Sequence, residues 1–231
     1  MKTIGLLGGM SWESTVIYYQ YLNRMVRERC GGLHSAQCLL WSFDFAEIAA
    51  AQSSGNWEKA TELMVVAARN LERGGADCLV ICTNTMHKMA ADVGAEVDIP
   101  LLHIADATAP AIKEAGCQEP LLLATAYTME QDFYKGHLQE KHGVTVRVPA
   151  SDARQEVHRI IYEELCKGEI WADSKQTFLE VVEHELGAGA DGVIFGCTEI
   201  GLLVSQKDFS IPAFDTTALH AKAALDFAFD G

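Results

Sequence analysis

An internal repeat constrains this chain more than any other feature. Gly75-Ala76-Asp77-Cys78-Leu79-Val80-Ile81-Cys82-Thr83-Asn84-Thr85 aligns with Gly189-Ala190-Asp191-Gly192-Val193-Ile194-Phe195-Gly196-Cys197-Thr198-Glu199. Two further segments agree in the same order and at nearly the same offset. Ile99-Pro100 matches Ile211-Pro212, and Leu6-Leu7 followed by Tyr18 matches Leu122-Leu123 followed by Tyr134. One such match could reflect only that buried strands look alike. Three together imply two copies of one unit of roughly 100 residues each.

The unit itself reads as α/β. Short apolar runs at 3–8, 35–43, 76–82, 101–104, 120–125, 144–148, 191–196 and 213–215 have strand character. Between them lie segments with helical spacing, notably 57–73, 151–167 and 174–187. Strands alternating with helices imply parallel sheets. The expectation is two pseudo-symmetric α/β lobes with parallel central sheets: residues 1–108 plus 215–231 in the first, 109–214 in the second. A ligand would sit in the cleft between them, where the carboxyl ends of equivalent strands face it.

Charge and cysteine usage narrow the function classes. With 18 Lys and Arg against 32 Asp and Glu, the net charge is −14. Such a chain is a poor partner for nucleic acid or an anionic membrane. The cysteines, seven in number, form no CxxC pair, and several lie in apolar runs. That disfavours a disulfide framework or a zinc site and points to a reduced, cytoplasmic protein. The apolar start Ile4-Gly5-Leu6-Leu7 is too short for a signal peptide, and no run is long enough to span a membrane.

The repeat places Thr83 and Cys197 at equivalent strand ends. A buried strand delivers Cys197 to a turn. Gly196 would let the backbone approach a ligand, and free amides of the next helix would lower the thiol pKa from about 8.5. A packed core cysteine is the alternative, but the polar Thr198-Glu199 marks an exit from the core. Thr83 begins the polar cluster Thr83-Asn84-Thr85. These residues suit a helix N-cap, which is compatible with holding an anion. Cys82 is the rival thiol if the register slips by one. Strand alternation points it away from the face of Thr83.

The first turn, Gly8-Gly9-Met10-Ser11, matches neither GxGxxG nor a P-loop, so no nucleotide is expected. Its repeat partner is Ala124-Thr125-Ala126-Tyr127-Thr128, and both turns suit carboxylate oxygens. His87 and His103 lie near strand ends as supporting groups. The remaining histidines show no metal-ligand spacing.

With these motifs in hand, the chain resembles the aspartate/glutamate racemase family, which works without pyridoxal phosphate. Cys82-Thr83-Asn84-Thr85-Met86-His87 and Gly196-Cys197-Thr198-Glu199 carry the resemblance. Leu101-Leu102-His103-Ile104-Ala105-Asp106 and Thr128-Met129-Glu130-Gln131-Asp132-Phe133-Tyr134 also fit. Gly-Gly-Met at the first turn and Cys-Thr-Glu in the second lobe look most like the aspartate racemase branch. The resemblance implies a homodimer, a small amino-acid substrate and no cofactor. It implies two catalytic cysteines, one per lobe, acting on opposite faces of the α-carbon. It also implies that Asn84, Thr85 and Thr198 hold the α-carboxylate and amino group, and that Met10, Thr125 and Thr128 line the site.

One position departs from the pattern, because Thr83 stands where the first-lobe cysteine belongs. The expected catalytic pair is therefore Cys197, acting on the L-enantiomer, and Thr83. No single cation stands out for a side-chain carboxylate; Lys167, Arg24 and Arg27 are the candidates. Other readings stay open. They are a broad-specificity racemase of neutral amino acids such as homoserine, a single-cysteine malonate decarboxylase, and a non-catalytic amino-acid binding protein.

Overall fold

The computed structural model describes residues 1–230. It contains two compact units. Unit 1 comprises Met1–His103 with the C-terminal segment from His220, and unit 2 comprises Ile104–Leu219.

Unit 1 holds a four-stranded parallel sheet. Its strands are β1 (Ile4–Gly8), β2 (Cys38–Ser42), β3 (Cys78–Ile81) and β4 (Leu101–Leu102), in the order β2-β1-β3-β4. The connections are α1 (Trp12–Cys30), α2 (Phe45–Ser53), α3 (Trp57–Arg73) and, after a 3-10 turn at Thr85–Met89, α4 (Ala90–Gly94). Helix α3 spans the residues its periodicity predicts. Ala60, Met64, Ala67, Ala68 and Leu71 recur at helical spacing and are buried. Asn56 starts it by accepting a hydrogen bond from the Lys59 amide.

Unit 2 begins with α5 (Ile104–Glu114) and holds a three-stranded parallel sheet in the order β5-β6-β7. The strands are β5 (Leu121–Leu123), β6 (Val193–Phe195) and β7 (Ala213–Asp215). Helices α6 (Ala126–Glu130), α7 (Asp132–His142), α8 (Ser151–Glu163) and α9 (Ala172–Gly187) connect the first two, and α10 (Ile200–Leu203) follows β6. The last helix, α11 (Thr216–Phe229), starts in unit 2 and enters unit 1 at His220.

The sheet registers reproduce the sequence repeat. Leu6 pairs with Val80 and Leu7 with Ile81 in unit 1; their counterparts Leu122 with Ile194 and Leu123 with Phe195 pair in unit 2. The next ladder repeats as well: Leu79 with Leu101 corresponds to Val193 with Ala213. Tyr18 and Tyr134 are both fully buried. Each buried aliphatic side chain contributes about 1.5–3 kcal/mol, and a register slip would move that burial to the wrong face.

The expected strand at 144–148 does not form. Only an isolated bridge joins Arg147 to Leu121. Its two hydrogen bonds run from Arg147 N–H to Pro120 O and from Leu122 N–H to Arg147 O. Pro120 on the β5 side and Pro149 after the segment bound this bridge, and neither has an N–H to extend a ladder. The expected helix at 151–167 is likewise shorter. It ends at Glu163, and a 3-10 turn covers Leu165–Lys167.

Candidate active site

In unit 2, β5 and β6 are neighbours running in parallel, so Thr125 and Cys197 leave the sheet at the same edge. Cys197 is 8% exposed, with Thr198 and Glu199 at 3% and 2%. The Cys197 thiol donates to Glu199 Oε2 at 3.0 Å, and the Thr198 hydroxyl donates to the same oxygen at 2.7 Å. The other carboxylate oxygen, Oε1, accepts from Cys166 Sγ at 3.5 Å. In the sequence Glu199 stands out only as a polar residue leaving the core. Its place two residues beyond the cysteine was the available signal.

This geometry overturns the expectation of a lowered thiol pKa. Burial pushes the Cys197 thiol well above its ordinary value, and the Glu199 charge and Cys166 push it further. The Glu199 amide does act in the expected direction, but it is the weakest influence. The following helix α10 has only four residues and supplies no long dipole. In the free protein the thiol is therefore protonated at neutral pH.

Gly196 has a packing role. A Cβ there would meet Leu122 Cδ1 at 2.5 Å, Ala124 Cβ at 3.0 Å and Leu123 O at 3.1 Å. The missing side chain lets the turn lie against β5.

Thr125 and Thr128 are buried and share a hydrogen bond at 3.2 Å between their hydroxyls. His158 holds the start of this turn, because its Nδ1 accepts from the Ala126 amide at 3.2 Å. Burial lowers the His158 pKa, against a weaker pull from Glu130. The ring lies between Tyr127 and Tyr162, at centroid distances of 5.7 and 4.8 Å. Elsewhere in unit 2, Asp106 Oδ1 accepts from His137 and His142, each through Nε2, at 2.5 and 2.7 Å, which ties α5 to α7.

In unit 1, β1 and β3 deliver Met10 and the 83–85 cluster to one sheet edge. Met10, Asn84 and Thr85 are buried, while Thr83 is partly exposed. The Ser14 hydroxyl donates to Cys82 O at 3.4 Å and links the two turns. Asn84 does not cap the following 3-10 turn through its side chain. His87 folds back on this turn, and its Nδ1 donates to Thr83 O at 2.8 Å. Cys82 points into the core with Tyr18, Leu22 and Val80. Burial raises its thiol pKa strongly.

His220 is fully buried and bonded on both sides. Its Nε2 donates to Leu102 O at 2.8 Å, and its Nδ1 accepts from the Tyr18 hydroxyl at 2.9 Å. Burial lowers its pKa to about 4.

Of the candidate cations, Arg24 donates to Gln20 at 3.2 Å on the exposed surface of α1. Arg27 is also exposed on α1. Lys167 is exposed and directly follows Cys166, whose thiol touches Glu199.

Comparison with known proteins agrees with this arrangement. A family model described as Asp/Glu/Hydantoin racemase matches residues 7–224, and the chain belongs to that family. It is an enzyme of the isomerase class, a racemase of the aspartate/glutamate type. The crystal structure of a candidate Asp/Glu racemase from Yersinia pestis is 53% identical, with 99% of both chains covered and a TM-score of 0.90. An aspartate racemase homologue from Pyrococcus horikoshii OT3 is 35% identical, with 99% of both chains covered and a TM-score of 0.85. The broad specificity amino-acid racemase RacX of Bacillus subtilis (strain 168) is 23% identical over 172 residues, covering 73% of this chain and 72% of that protein. Among the described residues, no helix is long and apolar enough to cross a membrane.

Proposed function

We propose that the protein interconverts the enantiomers of aspartate or glutamate without a cofactor, with Cys197 as the base for the L-form. The observation that carries this reading is the buried Cys197 thiol bonded to the Glu199 carboxylate. A protonated thiol cannot remove a proton, so it must first release its own. Glu199 Oε2, 3.0 Å away, is a ready acceptor. The resulting thiolate takes the α-proton of the L-amino acid. Thr83 then serves the opposite face, giving a proton from its hydroxyl directly or through a water. A hydroxyl is a poor base at neutral pH but can protonate a strongly basic carbanion. Asn84 and Thr198 stabilise the developing charge. Asn84, Thr85 and Thr198 hold the α-carboxylate and amino group, and Met10, Thr125 and Thr128 line the site.

Enantiomers have equal free energies in water, so kcat/KM is the same in both directions. A weak Thr83 therefore slows both. Incubating each enantiomer of aspartate and glutamate with the protein, without cofactor, and separating products by chiral chromatography tests the reading. Appearance of the opposite enantiomer supports it. No inversion of any of the four rejects it.

A broad-specificity racemase is the second reading, favoured by the similarity to the Bacillus relative of that name. Comparable turnover of homoserine and aspartate would select it.

The protein is also read as a cytoplasmic homodimer. The cysteine pattern, with no CxxC pair and several thiols in apolar runs, supports the compartment. Trp12, Val16 and Tyr19 are 64%, 41% and 55% exposed at helical spacing on α1. Leu40 is 52% exposed on edge strand β2. Two aromatic side chains of about 150–250 Å² each make this a substantial apolar face. Strand β2 carries no charge or proline to protect its edge. A second copy would cover both.

A further inference from the structure

We infer that Cys166 is a positioning residue that connects the buried Cys197–Glu199 pair to solvent protons. The inference rests on the proposed role of Cys197. Its basis is the way the Glu199 carboxylate divides its two oxygens. Oε2 takes the Cys197 thiol and the Thr198 hydroxyl, and Oε1 takes the Cys166 thiol. Cys197, Thr198 and Glu199 are buried, whereas Cys166 is only partly so. The carboxylate thus has one oxygen turned to the base and the other to the thiol nearest the surface.

The fold holds Cys166 there. It sits in the 3-10 turn Leu165–Lys167, which is anchored by the buried Glu164. Glu164 O accepts from the Lys167 and Glu169 amides at 2.9 and 3.0 Å. The Glu164 carboxylate takes the Ser174 hydroxyl and pairs with Arg159 at 3.0 Å. This lattice leaves the turn little freedom and aims Cys166 at Glu199.

Proton transfer along these contacts balances. In the reactive state Cys197 is a thiolate and Glu199 carries the proton on Oε2. Once the thiolate has taken the α-proton, Cys197 is a thiol and Glu199 is still protonated. To reset the pair, Cys166 releases its proton to solvent and takes the Glu199 carboxyl proton, which returns the pair to thiol and carboxylate. One proton leaves and no bond other than these S–H and O–H bonds changes; the same steps in reverse carry a solvent deuteron inward to Cys197. The path matters because Thr83 cannot store a proton as a second thiol would. Exchange with solvent must then occur largely on the Cys197 side.

The test is isotope partitioning. L-Aspartate and L-glutamate are incubated in D2O with wild type, Cys166→Ala and Cys166→Ser. Proton NMR follows α-deuteration of the remaining L-form, and chiral chromatography follows inversion. The ratio of exchange to inversion should fall about tenfold in Cys166→Ala. Cys166→Ser retains a hydroxyl relay and should restore most of the ratio. A wild-type ratio in Cys166→Ala overturns the relay, as does a serine variant no better than alanine. Circular dichroism checks the fold of each variant; if Cys166→Ala does not fold, the folded Cys166→Ser decides alone, and a ratio tenfold below wild type in it overturns the relay. Failure of the underlying reading looks different, since wild type itself would then show neither exchange nor inversion.

Discussion

The Cys197 thiol lies 3.0 Å from Glu199 Oε2, and both groups are buried at the end of β6. This contact is both obstacle and solution. The carboxylate charge holds the proton on sulfur, yet the same oxygen is the nearest place for that proton to go. Proton transfer within the pair creates the base without moving charge through the protein.

Glu199→Gln separates the two effects. The variant removes the charge that raises the thiol pKa, but it also removes the proton acceptor. If the acceptor matters most, turnover should fall about 10²–10⁴-fold, the range for a lost general base. A thiol titration followed at 240 nm should meanwhile show the Cys197 pKa moving down. Unchanged turnover would show that the carboxylate only packs.

Thr83 variants probe the opposite face. Thr83→Ala should lose inversion while keeping α-proton exchange of the L-form. Thr83→Cys should raise inversion above wild type if delivery of the second proton limits the rate. Equal loss of exchange and inversion in the alanine variant would mean that Thr83 holds substrate and does not serve proton transfer.

His220 makes a prediction about stability. Its folded pKa of about 4 lies below the ordinary histidine value. Between those two values the unfolded chain binds a proton that the native protein refuses. Stability is therefore intact above about pH 6.5 and declines as pH falls toward 4, by roughly 3 kcal/mol from this group. Urea denaturation at several pH values should show this slope. His220→Gln should flatten it, at a cost in stability at pH 7 from the lost Tyr18 and Leu102 contacts.

Gly196→Ala should destabilise by about 1–3 kcal/mol, because the added methyl would press on Ala124 Cβ and Leu123 O as well as the end of Leu122. Thermal unfolding would measure it. A neutral result would show that β5 yields easily.

The repeat made much of the fold legible. Matching Val80 to Ile194 and Leu6 to Leu122 in sequence anticipates ladders that pair in the same way in both sheets. Helix α3 was readable because its buried face recurs at helical spacing over 17 residues. The segment 144–148 misled because alternating Val and polar residues look like a strand, while Pro120 and Pro149 determine whether a ladder can extend. The site was legible as positions but not as electrostatics. Cys197 at a strand end suggests helix amides and a lowered pKa. Only the folded chain shows that burial and the Glu199 side chain outweigh a single amide. Cys166 was hidden for another reason, being 33 residues from Glu199 in sequence.

The most direct test of the central claim compares wild type with Cys197→Ser in D2O, using L-aspartate and L-glutamate without cofactor. Wild type should exchange the α-proton and form the D-enantiomer more slowly. The serine variant should lose both by about 10²–10⁴-fold. Wild-type exchange and inversion in Cys197→Ser would contradict the account, because no thiolate at position 197 would then be needed.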